Sequence, residues 1–248
     1  MIENTYTDLD KLYSRTYIDR YTNHKAIFRH LFTKLGDYIK GTDDSDLKQV
    51  VDSWFSLLYQ KVYMISNENA IYDASYQHCI LETADIMKPF GDIPRKIGVQ
   101  IKKSFLASKV LLEAINSAKK VVSELLNMKT HKNCKEAFMK MTHCGFCSNT
   151  DFKIKPCYSY CVNVMKGCSA YPSVVSPSWN VFLNALMKLA IKVDGPFSME
   201  AVLRPLGVEI SEGIMMFQRE RANITARVGL VALFILSCWL KVFLGHSV

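Results

Sequence analysis

Missing from these 248 residues is every short motif that announces catalysis: there is no Gly-rich phosphate loop, no G-x-S-x-G elbow and no H-E-x-x-H helix. The six histidines, His24, His30, His78, His131, His143 and His246, are scattered singly. His131 and His143 flank Cys134 and Cys144, but nothing supplies the third group that would orient a Cys/His nucleophile pair. The sequence therefore predicts no enzyme and no cofactor. Period-two alternation of apolar residues is also lacking, which argues against a sheet, and there is no internal repeat or low-complexity linker. Residues 1–15 carry acidic and polar groups with no apolar h-region, so no secretory signal is expected there. Acidic residues are in deficit, 23 against 31 basic, for a net charge of +8. The basic residues are dispersed, as in Lys102-Lys103, Lys119-Lys120 and Arg219 with Arg221, which reads as solvated helix surface and predicts no nucleic-acid partner.

What is present is helical periodicity. With 49% hydrophobic residues the chain is long enough for one sizeable core. Tyr6, Leu9, Tyr13, Tyr17, Tyr21, Phe28, Leu31, Phe32, Leu35 and Ile39 recur at three- and four-residue steps, predicting one long helix whose aromatics are core. Gly41 to Asp46 breaks the pattern and offers N-caps before Leu47, Val50, Val51, Trp54, Phe55 and Leu58. A third helix through Tyr76 and Ile80 should end before Pro89, and Pro94 should open the longest one. In that helix Ile97, Ile101, Phe105, Leu112, Ile115, Val122 and Leu126 share one face. Ser176 before Pro177 starts another, predicted to turn Trp179, Phe182, Leu183, Leu186, Met187 and Ala190 inward until Gly195-Pro196 stops it. Ser198 caps a last region through Val202, Ile210, Ile214 and Phe217. The predicted fold is all-α, an elongated helical bundle with a disulfide-rich segment.

Six of the eight cysteines crowd into residues 134–168 with the spacing C-x9-C-x2-C-x9-C-x3-C-x6-C. Two chemistries compete for such a cluster: disulfides in an oxidising compartment, or zinc in the cytosol. Zinc would take Cys144, Cys147, Cys157 and Cys161 as two short-spaced pairs, but leaves Cys134 and Cys168 over, and spacing and compartment together favour disulfides. Two short helices bridged by an exposed loop near residues 148–151 are expected here.

The string Pro156-Cys157-Tyr158-Ser159-Tyr160-Cys161-Val162-Asn163-Val164-Met165-Lys166-Gly167-Cys168 resembles the P-C-x2-[FY]-C-x2-aliphatic-x2-G-C signature of the glypicans, cell-surface heparan sulfate proteoglycan core proteins. Phe90 to Lys96, the Trp179 helix and Gly195 to Glu200 are similar to the family as well, so the likeness runs from about Tyr6 to about Gln218. One departure is Asn149, where the family usually has glycine, with a spacer one residue longer. The resemblance implies a bond between Cys134 and Cys168. It also implies that Cys79, Cys144, Cys147, Cys157 and Cys161 pair with cysteines outside this chain. No Ser-Gly dipeptide, the minimal glycosaminoglycan attachment site, occurs, and a fragment of the cysteine-rich lobe is expected.

The expected organisation is a helical cysteine-rich domain over 1–222 and a hydrophobic tail over 223–248. Val228 to Leu240 is apolar except for Ser237, short for a spanning helix and poorly preceded for a GPI signal. Asn223-Ile224-Thr225 is a glycosylation sequon beside it. What the resemblance implies is a non-enzymatic co-receptor on the extracellular side of the plasma membrane, GPI-anchored in the family, that regulates Wnt, Hedgehog and BMP-type signals. Two other classes stay open at this point: a zinc-stabilised intracellular interaction module, and a single-pass membrane protein with a helical binding domain.

Overall fold

The computed structural model describes residues 1–67, 74–147 and 155–244; for residues 75, 79, 144–147, 171, 172 and 231–244 it describes the backbone alone. All regular structure among the described residues is helix. The chain divides into two compact units, one made of Met1–Lys109 with Lys192–Val248, the other of Val110–Ile191.

The first unit begins with α1 (Ile2–Thr16), α2 (Asp19–Thr22) and α3 (Lys25–Lys40). This corrects the expectation of one long helix, because the chain turns at Ile18, whose φ of 47° lies in the left-handed region that a β-branched residue rarely adopts. The turn lets α3 fold back on α1. Rings of Tyr6 and Phe32 meet at 5.5 Å, and Arg29 bonds Glu3 at 2.7 Å, whereas 26 residues of unbroken helix would hold either pair about 39 Å apart. A lone straight helix cannot bury its own stripe; doubled back, it buries Leu9 and Tyr13 against Phe28 and Leu31.

Gly41 ends α3 with φ 76°, its N–H donating to the carbonyls of Asp37 and Tyr38, a left-handed cap that costs glycine no steric strain. Asp46 then caps α4 (Leu47–Ser66) by accepting from the Lys48 amide at 2.9 Å. The buried face of α4 carries Val51, Trp54, Phe55, Leu58, Tyr59 and Tyr63, and the Trp54 indole donates to the Ile27 carbonyl at 2.9 Å. Helix α5 (Ala74–Met87) stops ahead of Pro89, as the sequence predicts. At the following turn Gly91 has φ 56°, and a Cβ there would fall 2.9 Å from the Met216 sulfur.

Helix α6 (Ile93–Asn127) starts beside Pro94, and its first half buries Ile97, Ile101 and Phe105 in the first unit. After Gly195-Pro196, Ser198 caps α11 (Met199–Leu203) by accepting from the Ala201 amide, and α12 (Leu206–Leu244) completes the core. Leu206, Ile210, Ile214, Phe217, Ile224 and Val228 lie on one buried face of α12, so the helix runs without a break across residues 222 and 223. Among the described residues no helix is long and apolar enough to cross a membrane.

Aromatic rings knit this core. Tyr13 meets Tyr17, Tyr21 and Phe28, Phe28 meets Trp54, Trp54 meets Phe55, and Tyr59 meets Phe90 and Phe217, at centroid distances of 4.9 to 6.4 Å. These contacts are edge-to-face, the geometry that sets a ring's positive edge against its neighbour's negative face, at about 0.5–1.5 kcal/mol each beyond burial.

The second unit holds the rest of α6, α7 (Lys132–Cys147), α8 (Tyr158–Cys168), the short α9 (Ala170–Ser173) and most of α10 (Ser176–Asp194). Its apolar stripes do not pack as the periodicity predicts. Leu112, Ile115 and Val122 are exposed, Leu126 is 80% exposed, and no residue of α10 is buried, with Met187 and Ile191 open to solvent. Val164 on α8 is the buried apolar side chain of this unit among the described residues.

Candidate functional site: a disulfide helix pair and an aromatic cleft

Two places concentrate chemistry, one in each unit. In the second, Cys134 in the first turn of α7 is bonded to Cys168 at the end of α8, with Cα atoms 5.6 Å apart. The bond closes 34 residues of chain, worth about 3–4 kcal/mol if the gain is loop entropy. Since Val164 is the buried apolar side chain among the described residues of this unit, that bond matters to its stability.

Cys157 is the N-cap residue of α8 and exposed; Cys161, one turn on, is half-buried and donates its amide to the Cys157 carbonyl at 3.0 Å. Neither sulfur is bonded to another described residue. Side chains of Cys144 and Cys147 on α7, and of Cys79 on α5, lie outside the described residues, as does the loop bearing Asn149. Two of the four ligands of the zinc alternative are therefore not placed. Among the described residues no group of three or more His, Cys, Asp or Glu could hold a metal ion. Asn223 stands exposed on α12 beside the buried Ile224, and the Thr225 hydroxyl donates to the Asn67 side chain at 3.4 Å.

The second place is a cleft in the first unit, bounded by α1 to α4 and α12, which periodicity does not reveal because it marks the tyrosine stripe only as core. Its walls are Tyr13, Tyr21, Phe28, Leu58, Val62 and Ile214, and its rim includes Arg20, His24, Lys61 and Gln218. About 60 Å³ of free space remains in it, room for a short apolar segment unless the walls move. The tyrosines present rings rather than hydroxyls, because each hydroxyl is engaged by the fold. Tyr13 donates to the Gly207 carbonyl at 2.5 Å, Tyr21 donates to the Asp10 carboxylate at 2.8 Å, and Tyr17 shares a hydrogen bond of 2.6 Å with Ser211. Burial first, then the neighbouring Tyr17, pushes the Tyr13 hydroxyl far above the ordinary phenol range. Burial and the bond to Asp10 do the same for Tyr21. Burial, then the charge of Lys61, lowers the pKa of His24, which keeps the imidazole neutral at pH 7. The sequence signal for the cleft was the choice of tyrosine at positions 13, 17 and 21, where a purely apolar core would take phenylalanine or leucine.

Against known proteins, the Glypican family model matches residues 1–231. The chain is 32% identical to human glypican-2 over 228 residues, 89% of this chain and 38% of that protein. It is 28% identical to chicken glypican-1 over 212 residues, 86% of this chain and 38% of that protein. It thus spans less than half the length of these relatives. Among solved structures it is similar to the core domain of the Drosophila Dally-like protein, with a TM-score of 0.75, 36% identity, and coverage of 92% of this chain and 60% of that one. The Dally-like protein in complex with O-palmitoleoyl serine is similar at TM-score 0.70 and 37% identity, covering 92% and 53%.

Proposed function

We propose, since this chain belongs to the glypican family, that it is a portion of a non-enzymatic proteoglycan core protein acting at the cell surface. There it serves as a co-receptor that binds secreted morphogens and growth factors of the Wnt, Hedgehog and BMP types. The observation that carries this reading is the family match across residues 1–231, nearly the whole chain. Heparan sulfate chains and a GPI anchor, features of the family, belong to the longer core. What these residues contribute is helical surface, held in the first unit by the aromatic core and in the second by the Cys134–Cys168 bond. On the same reading Cys79, Cys144, Cys147, Cys157 and Cys161 bond to other segments of the longer core, and Asn223 is glycosylated.

The cleft in the first unit adds a specific task. The Dally-like protein forms a complex with O-palmitoleoyl serine, and here an apolar, ring-lined slot is open at the surface. Each methylene an acyl chain buries in such a slot is worth about 0.8 kcal/mol, so side-chain shifts that widen it are readily offset.

The test is to display the full-length core on cells, with and without enzymatic removal of heparan sulfate, and to measure binding of purified Wnt, Hedgehog and BMP-type ligands. Binding of at least one that survives removal of the sulfated chains is expected. Loss of all binding would overturn the role assigned to the protein surface. Alkylation mass spectrometry of the same core should find the five cysteines protected until reduction; free thiols, or four thiols protected by bound zinc, would reject the disulfide assignment.

A further inference from the structure

We propose that the first unit's cleft, on the reading that it takes an acyl chain, selects one carrying an anionic group beside its carbonyl end. That group would be the carboxylate of a free fatty acid or an acidic residue flanking an acylated serine. The argument is the charge inventory of the rim. Two permanent cations, Arg20 and Lys61, line the cleft with His24, and no Asp or Glu lines it. Neither Arg20 nor Lys61 makes an ion pair with a described residue.

The polar cleft at the end of α5 is built differently. There Lys48 is paired with Asp52 at 2.9 Å and Arg95 with Asp92 at 3.2 Å, so the fold itself neutralises the cations. At the aromatic cleft no described carboxylate pairs with Arg20 or Lys61. Lys61 is half-buried, and its field reaches His24, whose protonated form it disfavours. Tyr13, Tyr17 and Tyr21 do not answer the charge, since their hydroxyls are engaged elsewhere. An apolar slot rimmed by unanswered positive charge is complementary to an amphiphile with a negative head, as a neutral ester or alcohol is not.

The experiment titrates the full-length core by its intrinsic tryptophan fluorescence, because Trp54 packs at 5.5 Å on Phe28 of the cleft wall. The probes are palmitoleate, palmitoleyl alcohol, and palmitoleoyl-serine peptides with and without an adjacent Asp. At low salt the anionic probe of at least one pair should bind roughly three- to tenfold tighter than its neutral partner. High salt, Lys61→Gln and Arg20→Gln should each shrink that preference while leaving the neutral probe unchanged. A preference for palmitoleate alone identifies a fatty acid as the source of the charge, and a preference for the Asp peptide alone identifies an acylated protein. Equal affinity for anionic and neutral probes, or variants that weaken both alike, would overturn the charge selection and leave the acyl site standing. Failure of every probe to bind would overturn both. Unchanged thermal melting of Lys61→Gln and Arg20→Gln confirms that binding alone is being read.

Discussion

In the first unit aromatic residues of α1, α3, α4 and α12 meet ring against ring, and side chains such as Leu35, Val51, Tyr59 and Phe217 lose all contact with solvent. In the second unit residues with the same helical spacing, Leu112, Ile115 and Val122 on α6 and Leu183 and Met187 on α10, remain open to solvent, and a covalent bond ties α7 to α8. One unit is held by packing and the other by a crosslink that restricts its unfolded chain. The lesson is that an apolar stripe states a capacity for burial; whether it is used depends on what reaches that face.

Replacing Phe217 with Ala should expose the contrast most strongly. That ring packs on Tyr59 at 6.0 Å with no exposure, and its loss should cost about 3–5 kcal/mol, read as a fall in the denaturation midpoint and in amide protection of α4 and α12. Next comes the double change Cys134→Ser with Cys168→Ser, expected to cost about 3–4 kcal/mol and to release hydrogen-exchange protection in α7 and α8 while α1 to α4 keep theirs. Equal loss in both units would show that the crosslink does not stabilise the second unit separately. Ser198→Ala removes the cap of α11 and should cost about 1 kcal/mol, visible in the melting temperature.

Acid titration sharpens the same comparison. A hydrogen bond from Lys102 and the amide of Lys48 hold Asp46 below the ordinary carboxylate range, and bonds from Ser45 and Lys34 do so for Asp43. Their folded pKa values lie below the unfolded ones, so the stabilisation they give is complete above the ordinary value of 3.8 and is lost as pH falls through the folded values. Asp46→Asn should therefore flatten the acid limb of the first unit's stability curve below about pH 4, followed by circular dichroism. The smallest effect is expected for Leu126→Ser, at 80% exposure: a stability change within about 0.5 kcal/mol, with the melting temperature unmoved.

Much of the helical content was legible in the chain alone. Asp46 and Ser198 as caps, Pro89 as a stop and Gly195-Pro196 as another all act locally, through hydrogen bonds and φ restrictions within a few residues, so their meaning does not depend on distant chain. The turn at Ile18 was not legible, because no glycine or proline marks it; it exists only because folding back buries Tyr6, Tyr13 and Phe28 together. The cleft is not legible for a related reason, since its walls come from helices separated by up to 201 residues, from Tyr13 to Ile214. The exposure of Met187 and Ile191 on α10 also contradicts what periodicity predicts, because period reports a face and not a neighbour.

By itself, then, the sequence determined the all-helical class, the helix ends marked by a cap or a proline, and the family, because each is written in short-range periodicity, capping and a cysteine string. Tertiary structure alone decided which stripes are buried, where the first helix breaks, and that Arg20 and Lys61 share one cleft with three tyrosines. Those outcomes depend on side chains meeting across long stretches of chain, and no local pattern encodes a meeting.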